Sequence, residues 1–205
     1  MRGRRALEDH EVNAMLDVLS GLRNKALFVT CLYLGSRLSE TLKLNVADVV
    51  APGEAVEGGG IRLRRQITLR KATTKGKVKS RVIDVHPSLR AWLLRYLEER
   101  GVEPGPLFRA GRSGPTKADD RRLSRRQATR IFQESFRSQD VERGGSHSMR
   151  KTFAQRLIDS GKSLGAVQEL LGHSDIRHTR EYFEVNPTVL ADAVDSLPPL
   201  PAPPP

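Results

Sequence analysis

Cysteine is nearly absent: Cys31 is the single example in 205 residues. It lies inside the apolar run Ala26 to Leu34, so neither a disulfide framework nor a thiolate metal cluster can form, and a reducing cytoplasm is the expected setting. No stretch approaches the roughly 18 consecutive apolar residues of a membrane span. The N-terminal Met1-Arg2-Gly3-Arg4-Arg5 also lacks the apolar segment of a secretion signal, so a soluble, unexported protein is expected with no membrane partner. His147, His173 and His178 have no cysteine pair or acidic cluster to complete a zinc site, and no metal or other cofactor is expected. There is no internal repeat. Acidic residues are in the minority, 24 against 35 lysines and arginines, and the resulting net charge of +11 favours a polyanionic partner, nucleic acid first among them. Charge alone is also compatible, though less so, with a basic protein whose charge serves only solubility.

What is present is mostly helical periodicity. Val12, Met15, Leu16 and Leu19 mark a first amphipathic helix, and Ala26 to Leu34 is apolar nearly all round, as suits a helix buried on most faces and ended by Gly35. A short polar helix is predicted over Ser39 to Leu44. Pro52-Gly53 and Gly58-Gly59-Gly60 then mark a flexible connection. Ile61 to Arg64, Gln66 to Arg70 and Val82 to Val85 alternate as short strands, with a lysine-rich turn, Lys75 to Lys79, before the last of them. A helix begins near Pro87, with Leu89, Trp92, Leu93 and Leu97 on one face, and closes at Gly101. Gly111 to Asp120 reads as a loop. Ser124 with Gln127 resembles a capping box opening a basic helix to about Arg137, whose buried side would be Ala128, Ile131, Phe132 and Phe136. Further helices are predicted over Ser148 to Ile158, Leu164 to Leu171, Asp175 to Phe183 and Asn186 to Val194. The proline-rich residues 197–205 are expected to be an extended or disordered tail.

Five short segments carry chemistry. Arg37 in Gly35-Ser36-Arg37-Leu38-Ser39-Glu40 emerges from an apolar context and needs a partner or a ligand; an ion pair with Glu40 on the next turn would satisfy it. Lys75, Lys77 and Lys79 form a turn that could present an ammonium to a phosphate or simply be solvated. His147 and Arg150, three apart, occupy one face of a helix start, where Ser146 is a candidate cap and the backbone N–H groups favour an anion. His173 sits at a helix break in Leu171-Gly172-His173-Ser174. Tyr182 closes Thr179-Arg180-Glu181-Tyr182; a lone tyrosine there is usually a core or rim residue.

In this order the five segments resemble the catalytic domain of the tyrosine recombinase, or phage integrase, family, and the resemblance runs from about Leu7 to Val185. It implies a mainly α fold with a small antiparallel β-sheet (α+β), the tyrosine recombinase catalytic-domain fold, over residues 1–196. It implies Tyr182 as nucleophile, Arg37 and Arg150 as paired phosphate-binding arginines, His147 and His173 at the remaining phosphate contacts, and Glu40 as a supporting acid. The lysine of the turn falls on Lys75, with Lys77 as second choice. The implied activity is site-specific recombination of double-stranded DNA through a 3′-phosphotyrosyl intermediate, without metal or ATP, by protomers that self-associate into a tetramer on DNA. Val189, Leu190, Ala193 and Val194 are a candidate docking face between protomers or, equally, a face packed onto their own domain. The family's N-terminal core-binding domain is expected to be absent, as in an excised catalytic domain or a naturally short recombinase. A type IB topoisomerase, which uses the same tyrosine chemistry, and a catalytically silent DNA-binding relative are the alternatives. Arg121, Arg122, Arg125, Arg126 and Arg130, crowded at one helix start, form with Lys77 and Lys79 a candidate track for the DNA backbone, the alternative for the arginines being a solvated helix face.

Overall fold

The apolar run beginning at Ala26 becomes the axis around which the other elements are arranged. The computed structural model describes residues 5–52, 60–70, 80–111 and 121–172, and the fold is stated for those residues. The helices α1 (Asp9–Val18) and α2 (Gly21–Tyr33) come first, then two four-residue helical turns, α3 (Leu38–Thr41) and α4 (Val46–Val49). Strands β1 (Gln66–Leu69) and β2 (Arg81–Asp84) follow, and then α5 (Pro87–Arg100), α6 (Arg125–Ser138), α7 (Ser148–Asp159) and α8 (Leu164–Leu171). The architecture is mainly helical with one two-stranded antiparallel sheet, as the sequence leads one to expect. No described helix is long and apolar enough to cross a membrane.

A helix apolar around its whole circumference must be covered on every side. α2 meets that demand by packing on α3, α5 and α7, which buries Ala26, Leu27, Phe28, Val29, Cys31 and Leu32. Phe28 also meets Phe132 of α6 edge to face, with ring centroids 6.1 Å apart. The buried side of α6 is Ala128, Phe132 and Phe136, with Ile131 partly covered, the face its spacing predicts. From α5, Tyr96 stacks on Phe108 at 5.6 Å and donates its hydroxyl to the Leu107 carbonyl at 2.9 Å, pinning the chain that leaves the helix. A smaller cluster of Ala154, Val167 and Leu171 joins α7 to α8.

Local signals place most helix ends. Pro87 stands in the first turn of α5 and Gly101 closes it. Ser124 and Gln127 form the reciprocal capping box of α6, each backbone N–H donating to the other's side chain at 3.2 Å. Three expectations are corrected. The helix predicted over Ser39 to Leu44 is the single turn Leu38–Thr41, because the Thr41 hydroxyl turns inward to the buried Ser36 and the chain leaves toward α4. Ile61 to Arg64 is not a strand of the sheet; Leu63 makes only an isolated bridge to Val50, while β1 pairs with β2 from Gln66 opposite Asp84 to Leu69 opposite Arg81. Ser146 does not cap α7: His147 occupies that position, with no side-chain cap bond. The predicted connection over residues 53–59, the turn over 71–79, most of the loop over 111–120, the helices beyond residue 172 and the tail lie outside the described residues.

Gly35 ends α2 with φ of 52°, and a Cβ there would overlap the Phe153 ring of α7. A side chain at this corner therefore combines left-handed backbone strain with overpacking. Gly35→Ala is expected to lower unfolding stability by about 2–5 kcal/mol, seen as a lower urea midpoint at an unchanged slope. An unchanged midpoint would mean that neither the backbone conformation nor the ring constrains residue 35.

Candidate active site

The corner between α2 and α3 is built on buried polar contacts. Ser36 and Thr41 share a hydrogen bond, and the Cys31 thiol donates to Thr41 at 3.4 Å. Burial pushes that thiol up to about 12, so Cys31 is a neutral packing group. Arg37 stands next, at the start of α3. The ion pair expected with Glu40 is present, Arg37 Nη1 to Glu40 Oε1 at 3.1 Å, yet 36% of the Arg37 side chain stays exposed to a ligand. Glu40 binds three donors: Arg37 Nη1, the Arg37 backbone N–H at 2.8 Å, and Arg81 Nη2 from β2 at 2.9 Å. Burial alone would raise its carboxyl, but the Arg81 bond and charge, with Arg37, more than offset that and hold it below the ordinary carboxylate range.

Arg81 was not anticipated from the sequence. Its signal lies in the strand period: residue 81 is in phase with the buried Ile83, while Val82 and Asp84 face out, so a charge is directed inward where an apolar side chain belongs. Thr152 on α7 was also missed. Its hydroxyl accepts the Leu7 backbone N–H at 2.8 Å and donates to the Ser148 carbonyl at 2.9 Å, fastening the N-terminal segment to the first turns of α7.

α7 carries the His-x-x-Arg pair, but the two side chains differ in environment. His147 is exposed, whereas Arg150 is buried, only 2% accessible. Arg150 donates from Nη1 to the Gly35 carbonyl at 2.7 Å and from Nη2 to the Leu171 carbonyl at 2.8 Å. It thereby links the Arg37 corner to the end of α8, the residue pair that precedes His173. The imidazole of His147 is held below its ordinary value of 6.5, first by partial loss of solvation and then by the charges of Arg150, Arg37, Arg125 and Lys151. Those interactions gather Arg37, His147, Arg150 and Arg125 into one basic locus. A neutral imidazole there can accept a proton, and the surrounding guanidinium groups suit an anionic ligand.

The arginine cluster divides. Arg121, Arg125, Arg126 and Arg130 are exposed, with Arg130 in a loose pair with Glu134 at 3.7 Å. Arg122 instead turns inward: Nη1 donates to the carbonyls of Leu42 and Leu44, and Nη2 donates to Asn45 Oδ1 at 2.7 Å. It clamps the chain between α3 and α4 and is removed from the candidate DNA track. Among the described residues no group of histidine, cysteine and acidic side chains is placed to hold a metal ion. Lys75, Lys77, Lys79, His173 and Tyr182 lie outside the described residues.

Residues 5–188 match the family model described as the phage integrase family. Among curated proteins, tyrosine recombinase XerC of Halalkalibacterium halodurans is 31% identical over 195 residues, covering 91% of this chain and 59% of that protein. The type 1 fimbriae regulatory protein FimE of Escherichia coli is 29% identical over 198 residues, covering 91% of this chain and 88% of its own length. The chain spans 52%, 59% and 55% of three XerD and XerC relatives, little more than half their length. The solved catalytic domain of bacteriophage HP1 integrase superposes with a TM-score of 0.60 at 23% identity, covering 94% of this chain and 95% of that one, which shows a shared fold.

The imidazole of His147 is expected to titrate below its ordinary value of 6.5 and to move upward in Arg37→Ala, as followed by NMR. A titration unmoved by that substitution would separate Arg37 from the cluster.

Proposed function

This chain belongs to the phage integrase family, and from that premise we propose that it is a tyrosine-type site-specific DNA recombinase, a DNA strand transferase acting on double-stranded DNA. The observation that carries the proposal is the convergence of Arg37 and Arg150, from the α2–α3 corner and from α7, on the depressed imidazole of His147.

In the proposed reaction the Tyr182 phenol attacks a backbone phosphate. The bond from its oxygen to phosphorus forms and the bond to the 5′-oxygen breaks, leaving a 3′-phosphotyrosyl linkage and a free 5′-hydroxyl. An unperturbed phenol, with pKa near ~10, is mostly protonated at neutral pH. A neutral His147 supports the reading that it takes up that proton. Arg37 and Arg150 would hold the non-bridging oxygens, where charge grows in the transition state, and they stay charged at any working pH. His173 would add a donor, and Lys75 would give its proton to the departing 5′-oxygen. The phosphate ester bond energy is kept in the tyrosyl linkage for rejoining, so the scheme calls for neither metal nor nucleotide. Arg121, Arg125, Arg126 and Arg130, with Lys77 and Lys79, would track the backbone of the duplex. Assembly into a tetramer on DNA, through a segment containing Val189, Leu190, Ala193 and Val194, belongs to the same proposal.

Incubating the chain in EDTA with nicked duplexes whose arms are randomised, then recovering denaturation-resistant adducts, is expected to yield 3′-linked DNA with the unmutated chain and none with Tyr182→Phe. DNA binding without any adduct would favour a silent relative. Relaxed circles with no exchanged strands from a two-site plasmid would favour a topoisomerase.

Arg125→Ala, Arg126→Ala and Arg130→Ala should each weaken duplex binding and lower the slope of log affinity against log salt by about 1 per lost phosphate contact. Arg122→Ala should leave that slope intact and reduce folding stability; the opposite pattern would return Arg122 to the track.

A further inference from the structure

Arg81 is a buried cation that does not serve the fold well. Its side chain is 6% exposed and, among the described residues, pairs with one acid, Glu40, and leaves Nε buried with no hydrogen-bond partner. A buried ion pair with an unsatisfied donor is generally no more stable than a well-packed apolar pair, and at a strand position in phase with Ile83 an aliphatic residue would pack without that cost. The arginine therefore calls for another explanation.

We propose that Arg81 is a positioning residue of the active site, which from β2 fixes Arg37 through Glu40 and at the same time seats the backbone at Gly172, the residue before His173. This rests on the recombinase reading. Two contacts support it. Arg81 Nη2 donates to Glu40 Oε2 at 2.9 Å, and Glu40 in turn binds both the backbone N–H and the guanidinium of Arg37. On the other side, Arg81 lies so close to Gly172, whose φ is 67°, that a Cβ there would stand 2.9 Å from Nη1 and 3.3 Å from Cδ. Arg150 approaches the same turn and binds the Leu171 carbonyl. The end of α8 thus lies between two guanidinium groups, packed closely by Arg81 from β2 and hydrogen-bonded by Arg150 from α7.

The link to Arg37 depends on Glu40 being ionised. Among the described residues, the groups that interact with Glu40 are Arg37 on its own turn, Arg81 from β2, and the neutral thiol of Cys31 from α2. Without Arg81, burial is opposed by Arg37 alone and the Glu40 carboxyl rises. Once protonated, it loses its charge-assisted grip on Arg37, and the phosphate-binding guanidinium drifts.

The test measures single-turnover adduct formation on a nicked duplex recovered in the randomised selection, across pH, for the unmutated chain, Arg81→Met, Arg81→Lys, Glu40→Gln and the Arg81→Met/Glu40→Gln pair. Arg81→Met is expected to slow cleavage by roughly 100-fold, the effect of a small misplacement near reacting groups, with duplex affinity nearly unchanged. Its acid limb should shift toward neutral pH, Arg81→Lys should recover part of the rate, and the double variant should be little slower than either single one. Cleavage by Arg81→Met within threefold of the unmutated chain, or multiplicative losses in the double variant, would overturn the inference. A carbon-13 titration of the Glu40 carboxyl in the free protein needs no DNA. It should rise in Arg81→Met and less in Arg81→Lys, and no rise in either also overturns the link, even if Arg81→Met alone proves too unstable to assay. Failure of the unmutated chain to form any adduct would instead count against the recombinase reading.

Discussion

Arg150 makes two hydrogen bonds to backbone carbonyls, and the arrangement of the site depends on them. One reaches Gly35, at the corner that carries Arg37; the other reaches Leu171, at the end of α8. A guanidinium suits this role, since its five donors point in fixed directions and are never titrated away. Three segments far apart in sequence are thereby brought to one place by a side chain that is itself a proposed ligand for phosphate. The two carbonyl dipoles offset part of the cost of burying its charge, and that charge, after the partial loss of solvation, contributes to His147's lowered affinity for a proton.

Around that centre the fold separates two uses of arginine. Arg81 and Arg122 face inward and organise loops, while Arg125 and Arg126 lie on the exposed side of an amphipathic helix whose other side is held by Phe132 and Phe136. Net charge does not distinguish these roles. Only the path of the backbone does, because it decides which guanidinium comes within reach of a buried carboxylate or of loop carbonyls, as Arg81 and Arg122 do.

Much of this could be read before the structure. The periodicity of α2, the capping box at Ser124 and the glycine stops at Gly35, Gly101 and Gly172 are local signals, and each lies where the sequence places it. The Arg37–Glu40 pair is local too. What escaped were features fixed by tertiary partners: the shortening of α3, where Thr41 turns to Ser36; the inward turn of Arg122 toward Leu42 and Leu44; and the pairing of Arg81 with Glu40 across 41 positions of chain. Ile61 to Arg64 alternates like a strand but, among the described residues, pairs only through one bridge at Leu63, and alternation alone does not supply a neighbour to pair with.

The Thr152 hydroxyl joins the N-terminal segment to the helix that presents His147 and Arg150, and Asp9 is tied to Arg156 one turn farther along at 2.6 Å. Residues 7 to 9 and α7 are thus coupled at two points, like a handle riveted to a lever. A force or a binding event that shifts this segment would be delivered to the helix on which the phosphate-facing groups are mounted, through these two polar ties as well as through Leu7 in the core.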